Sequence, residues 1–230
     1  MEVGLTVQFP ALQGLHIGHY GVLWERVRDE FPKLQTAPLI EPQYERFGLK
    51  RPLFQGFRVE MMSLPPMPRC WYLSEDETHL IQLQNDRISF NWRKLPAQQP
   101  YRQYEPIRAD FLRHFRTIAT ALDGLGVPIT PADQCEVTYV NQIEPCSVWE
   151  NHNQADRIFS VLQPPPSRDP LPPLEETRFE QKYLLSGSDG QLIGRLTAQC
   201  QPGFRIGNEQ PIFLFSLTAR ACRWATAWKG

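Results

Sequence analysis

Residues 79–94, HLIQLQNDRISFNWRK, alternate apolar and polar positions on either side of Asn85-Asp86. Such a run predicts a β-hairpin, because successive strand side chains point to opposite faces and an Asn-Asp pair tolerates a tight turn. Closing Gln84 against Arg87 sets Leu83 opposite Ile88 and Ile81 opposite Phe90 on one face. The other face then carries Gln84 with Arg87, Gln82 with Ser89 and Leu80 with Asn91, with Arg93 beyond. One side of the ribbon is greasy; the other bears amides and guanidiniums.

The same reading extends along the chain. Residues 2–9 alternate as a strand that Pro10 stops. Over 17–31, Tyr20, Trp24, Val27 and Phe31 recur at helical spacing, and Pro32 ends that helix. Pro38, Pro42 and Pro52 cut the following stretch into loop, after which strands are expected at 53–61 and 70–74. A loop rich in Pro and Gln at 96–104 leads into a second helix over 105–123, with Pro106 in its first turn and Gly124 or Gly126 at its end. Its buried stripe is Ile107, Phe111, Phe115, Ile118 and Leu122. Beyond it come a strand at 134–143, a short helix near 154–162, a stiff Pro-rich connector at 164–173, a hairpin of 178–185 with 192–199, and a last strand at 212–220.

Strands outnumber helices, and the first half orders them β-α-β-β-β-β-α. That order predicts an α+β fold: a mostly antiparallel, curved sheet with two main helices on one face. The chain reads as a single domain, 1–230, with pseudo-duplicated halves at 1–130 and 131–230. The first half, β-α-β4-α, resembles one half of a TATA-binding-protein-like or helix-grip-like arrangement. The second half lacks the closing helix.

Composition narrows the partners. Lys and Arg total 24 against 25 Asp and Glu, a net charge of −1, which argues against a nucleic-acid footprint. The five cysteines, Cys70, Cys135, Cys146, Cys200 and Cys222, are odd in number and widely spaced, as suits a reduced compartment. The amino terminus has no signal-peptide pattern and no apolar run is long enough to span a bilayer, so the expected location is the cytoplasm.

Few residues point to reactive chemistry. His16 and His19 lack a third ligand at metal-binding spacing and read as capping or packing residues, so no metal is expected. Cys135 and Cys146 with His152 could be drawn as a thiol–imidazole pair, but Cys135 is better read as a small apolar residue on an inward strand face. The glycine-rich run at 186–190 joins two strands rather than a strand and a helix, and is a hairpin loop, not a phosphate cradle. No cofactor is called for.

The polar hairpin face is the binding candidate: Gln82, Gln84, Arg87, Asn91 and Arg93, with Glu136, Thr138 and Gln142 extending it from a later strand. Two readings of it stand side by side. It is a recognition surface for a protein, peptide or small ligand, or it is a face covered by the chain's own loops with its amides satisfied internally.

The runs QLQNDRISFNWRK, CWYLSED, DEFPK and QCEVTYVNQI together resemble a sporadically distributed bacterial family of uncharacterised proteins. The resemblance spans residues 3 to about 220. It implies a bacterial cytosolic accessory protein, with toxin–antitoxin or phage-defence loci as the analogy, and supplies no catalytic residues. Relatives are expected to continue into a C-terminal helix, of which Trp224 and Trp228, four apart, would be the start. The function expected from all this is a non-catalytic, antitoxin-like binding module. Its partner would be another bacterial protein or a second copy of itself; the alternative is a ligand or substrate held between sheet and helix.

Overall fold

A computed structural model describes residues 1–48, 67–95, 101–162 and 172–222. The strand expected at 53–61, most of the Pro-rich connector and the Trp224–Trp228 pair lie outside the described residues. Among the described residues nine strands form a single antiparallel sheet, an α+β fold dominated by sheet. They are β1 (Glu2–Gln8), β2 (Lys33–Ala37), β3 (Arg69–Leu73), β4 (His79–Gln84), β5 (Arg87–Arg93), β6 (Gln134–Ile143), β7 (Phe179–Ser186), β8 (Leu192–Phe204) and β9 (Pro211–Cys222). The helices are α1 (Ile17–Glu25) and α2 (Tyr104–Gly124), with a 3₁₀ turn at His152–Arg157.

The strand order is β2-β3-β4-β5-β1-β6-β9-β8-β7. The two strands that begin each run, β1 and β6, lie side by side at the centre, flanked by the last strand of each run, β5 and β9, with the earlier strands outside them. The β4–β5 hairpin pairs Gln84 with Arg87, Leu83 with Ile88, Gln82 with Ser89, Ile81 with Phe90 and Leu80 with Asn91, the register that its alternation implies. Inserting β1 beside β5 then aligns Val3, Leu5 and Val7 with Trp92, Phe90 and Ile88.

Those apolar positions form one core with Tyr20 and Leu23 of α1 and Ile107, Phe111, Ile118 and Leu122 of α2. Burial of this stripe, not intrinsic propensity, holds a helix of this length in place. His114, rather than Phe115, is the fully buried residue at the middle of the α2 stripe. Its ring stacks on Phe90 at 5.7 Å and meets the edge of Phe31 at 5.0 Å. Gly126, at φ +75°, turns the chain out of α2 in a conformation that costs a side-chain-bearing residue more. A smaller core of Trp149, Ala155, Cys200 and Phe213 sits under the segment that contains the 3₁₀ turn.

Three elements differ from the sequence expectation. Lys33–Ala37 is a strand where loop was expected, because an edge strand needs only one partner and buries little. The helix at 17–31 closes at Glu25, and the indole Nε1 of Trp24 donates to the carbonyl of Phe31 at 2.8 Å, tying down the turns that follow. The short helix expected near 154–162 is a 3₁₀ turn beginning at His152.

Candidate functional site

Antiparallel registry turns the polar face of the hairpin into a row that crosses seven strands. Trp71, Gln82, Ser89, Thr6, Glu136, Arg220 and Arg195 stand in line from β3 to β8. A neighbouring row runs Leu80, Asn91, Gly4, Thr138, Thr218 and Thr197, and on the other side lie Gln84, Arg87, Gln8 and Gln134. Every one of these positions follows from the period of two once the strand order is known.

The chain's own segment crosses this face as a strap. Gln84 grips Ile40 at both backbone groups: its Nε2 donates to the Ile40 carbonyl and its Oε1 accepts from the Ile40 N–H, each at 3.0 Å. Gln134 does the same further along, donating to the Gln43 carbonyl at 2.7 Å and accepting from the Glu45 N–H at 3.0 Å. The Glu45 carboxylate, buried, is ion-paired with Arg195 and lies 3.9 Å from Arg220. Arg220 is paired in addition with Glu136. Two glutamines thus act as backbone clamps, and one carboxylate pins the strap between two guanidiniums.

Under and beside the strap a cavity of about 210 Å³ remains, lined by Gly4, Thr6, Gln8, Gln82, Ser89 and Asn91 among others. Its hydrogen bonds have a direction. The Glu2 carboxylate can only accept, and it takes the Nδ2–H of Asn91 at 2.8 Å. Asn91 must therefore present Oδ1 to Gln82, whose Nε2 donates to it at 2.6 Å. That leaves Gln82 Oε1 as an acceptor, and it is buried without a partner. Gln8 is 4% exposed, and its Nε2 is likewise buried without a partner. Thr6 donates to Ser89 at 2.8 Å, and Thr138 links Glu136 and Thr218 at 3.1 Å each. A β-carbon at position 4 would come within 3.1 Å of Asn91 Nδ2, so Gly4 makes room for that amide.

The five residues singled out from the sequence therefore have different surroundings. Gln82 and Asn91 line the cavity. Gln84 is buried and committed to the strap. Arg87 lines the cavity but is buried, its fork held on Asp86 at 3.0 and 3.1 Å. Arg93 is exposed at the margin, where it bonds Glu77. Glu136 and Thr138 extend the surface as expected from β6, whereas Gln142 is exposed away from the cavity. The residues not singled out are Thr6, Gln8, Gln134, Arg195, Arg220 and Glu45. Thr6 and Gln8 showed the same alternation as the hairpin; what the sequence did not show was which strand stands beside which.

The ionisable groups elsewhere have ordinary structural explanations. Burial pushes the Cys70 and Cys200 thiols up to about 11, which keeps them protonated and unreactive. Burial likewise raises the phenols of Tyr20 and Tyr72, and the Tyr72 hydroxyl donates to the Tyr20 carbonyl. His16 and His19 meet at the start of α1, where His19 Nδ1 accepts the His16 N–H at 3.3 Å. Among the described residues no group of three or more His, Cys, Asp or Glu is placed to hold a metal ion. No described helix is long and apolar enough to cross a membrane. A second cavity of about 330 Å³, mostly apolar, lies between α2 and strands β1, β6 and β9, lined by Leu5, Val7, Phe111 and Val137.

No protein-family model matches the chain, and neither a curated protein nor a solved structure matches it.

Proposed function

We propose that this protein is a non-catalytic binding module whose ligand sits on the polar face of the sheet, beside the strap at 38–47. The observation that carries the reading is the cavity lined by Gln8, Gln82 and Asn91, with buried hydrogen-bonding atoms left unmet at Gln8 and Gln82. An unpartnered buried polar atom costs about 1–3 kcal/mol, a penalty a bound ligand would remove. The apolar cavity against α2 offers no comparable set of fixed polar groups, so the ligand belongs on the polar face rather than between sheet and helix.

The test is a thermal-shift screen against a library of small polar metabolites. The expected result is at least one compound that raises the melting temperature by roughly 5–10 °C at a hundredfold excess over its Kd. The same compound should leave Thr6→Trp, which fills the cavity, unmoved. A library without a hit on the wild-type protein counts against the reading.

The reading treats the chain as one domain of two pseudo-duplicated halves, 1–130 and 131–230, arranged in a TATA-binding-protein-like or helix-grip-like manner with both helices behind the sheet. Support comes from the order of strands about the β1–β6 pair, β5-β4-β3-β2 on one side and β9-β8-β7 on the other.

A second reading, a protein partner, is favoured by β7. It is an edge strand with Tyr183 48% and Leu184 58% exposed. Antiparallel pairing of β7 with a second copy about Gln181 sets Glu180 opposite Lys182 at both ends. This is the form in which the accessory, antitoxin-like role implied by the bacterial family resemblance would be exercised, in the cytoplasm. Light scattering on the purified protein should then show a dimer that Tyr183→Lys with Leu184→Lys converts to monomer; a wild-type monomer up to millimolar concentration would rule out self-pairing.

A further inference from the structure

We infer that the polar cavity selects an uncharged ligand carrying a carboxamide or lactam group, an inference that rests on the binding reading above and specifies its chemistry. The face already shows how it recognises such groups. Gln84 and Gln134 each hold the strap by one hydrogen bond donated to a backbone carbonyl and one accepted from a backbone N–H, so glutamines of this face already bind both polar groups that an amide carries. Gln8 and Gln82 are two more glutamines on the same face, each with a buried amide atom unmatched. The donor at Gln8 Nε2 calls for a carbonyl, and the acceptor at Gln82 Oε1 calls for an N–H. They are carried on strands two apart and two residues out of line, about 12 Å between Cα atoms before the side chains lean toward each other. A planar amide-bearing molecule satisfies both.

Charge excludes the obvious competitors. The guanidiniums that line the cavity are matched, Arg87 by Asp86 and Arg220 by Glu136 and Glu45, and Arg195 beside them is paired with Glu45. An anion would have to displace a carboxylate from a partly buried pair and would face Glu136 in the cavity wall. The orientation of Gln82 is set by Glu2 through Asn91, so the acceptor cannot flip to a donor without breaking the Gln82–Asn91 hydrogen bond or, if Asn91 turns with it, the Asn91–Glu2 bond.

The experiment uses an isosteric pair. Calorimetry or ligand-observed NMR compares nicotinamide with nicotinate, and uracil and inorganic phosphate serve as a lactam and a simple anion. The expected result is saturable binding of nicotinamide or uracil, with nicotinate and phosphate at least tenfold weaker. Gln8→Met and Gln82→Met should each weaken the amide ligand by about tenfold or more, consistent with loss of one buried hydrogen bond. Gln8→Met should in addition leave the free protein as thermostable as wild type or more so, since it removes an unmatched donor; a structural glutamine would lower the melting temperature. If Gln82→Met does not fold, Thr6→Trp takes its place. Nicotinate or phosphate binding as tightly as nicotinamide overturns the inference and leaves the binding reading intact. Amide binding that survives both glutamine variants overturns the assigned location. Binding of none of the probes up to their solubility overturns the inference, while the library screen above decides the binding reading on its own.

Discussion

Glu45→Ala should cost the fold about 3 kcal/mol in urea denaturation and release the strap from the sheet. Glu45 is 7% exposed at its side chain, and its carboxylate is the counter-charge that Arg195, itself largely buried, depends on. Removing one partner of such a pair leaves an uncompensated charge out of water, which typically costs 3–5 kcal/mol. Arg220 keeps Glu136 and softens the loss, so the lower end of that range applies. Hydrogen exchange gives the local readout. The amides of Ile40 and Glu45, now donating to Gln84 and Gln134, should lose protection, while β5 and β1 amides keep theirs. A change below about 0.5 kcal/mol with unaltered exchange at both amides would mean that something other than this ion pair holds the strap. Gln134→Leu should couple to the substitution in a double-mutant cycle, because the two residues grip the same three-residue stretch.

Stability should also fall on mild acidification, and His114 should be a main cause. Burial, with Arg113 beside it, pushes its imidazole down from 6.5 to about 4, against the opposing pull of Glu30 and Asp110; His79 acts in the same sense as Arg113. Between those two pH values the unfolded chain binds a proton that the folded chain refuses. Stability is therefore full above about 6.5, declines as pH falls, and has lost about 3 kcal/mol from this group near pH 4, below which its contribution levels off. His79, which burial and Arg102 also hold low, adds to the same limb. His114→Phe separates them, since a phenyl ring keeps the stacking on Phe90 and carries no proton. Urea denaturation at pH 7.5 and pH 4.5 should show a difference smaller by about 2–3 kcal/mol in the variant than in wild type. An equal difference in the two proteins would assign the acid sensitivity elsewhere.

Much of the local architecture was legible because the periods are short-range. The alternation over 79–94 gave the β4–β5 register residue by residue, and the helical stripe gave α2 to within one residue at each end. The strand at Gln134–Ile143 likewise has the bounds its alternation implied. The misses share a cause. Lys33–Ala37 became a strand because β3 was available to pair with it, and its own KLQTA carries no burial pattern. His114 was passed over because a polar residue inside an apolar stripe is buried only when rings from elsewhere, here Phe31 and Phe90, enclose it.

What the amino-acid order determined without help was the division of each strand into an oily and a polar face, since a period of two is a property of the extended chain itself. That Gln82 and Asn91 share a face was settled there. What the tertiary structure decided was adjacency. Only the insertion of β1 between β5 and β6 brings Thr6 and Gln8 beside the hairpin and carries the polar row on to Arg220 and Arg195. Only the folded chain lays 38–47 across that row, because the bonds that hold it run from side chains to backbone groups roughly 44 to 91 positions away, and a backbone N–H or carbonyl looks the same in every sequence.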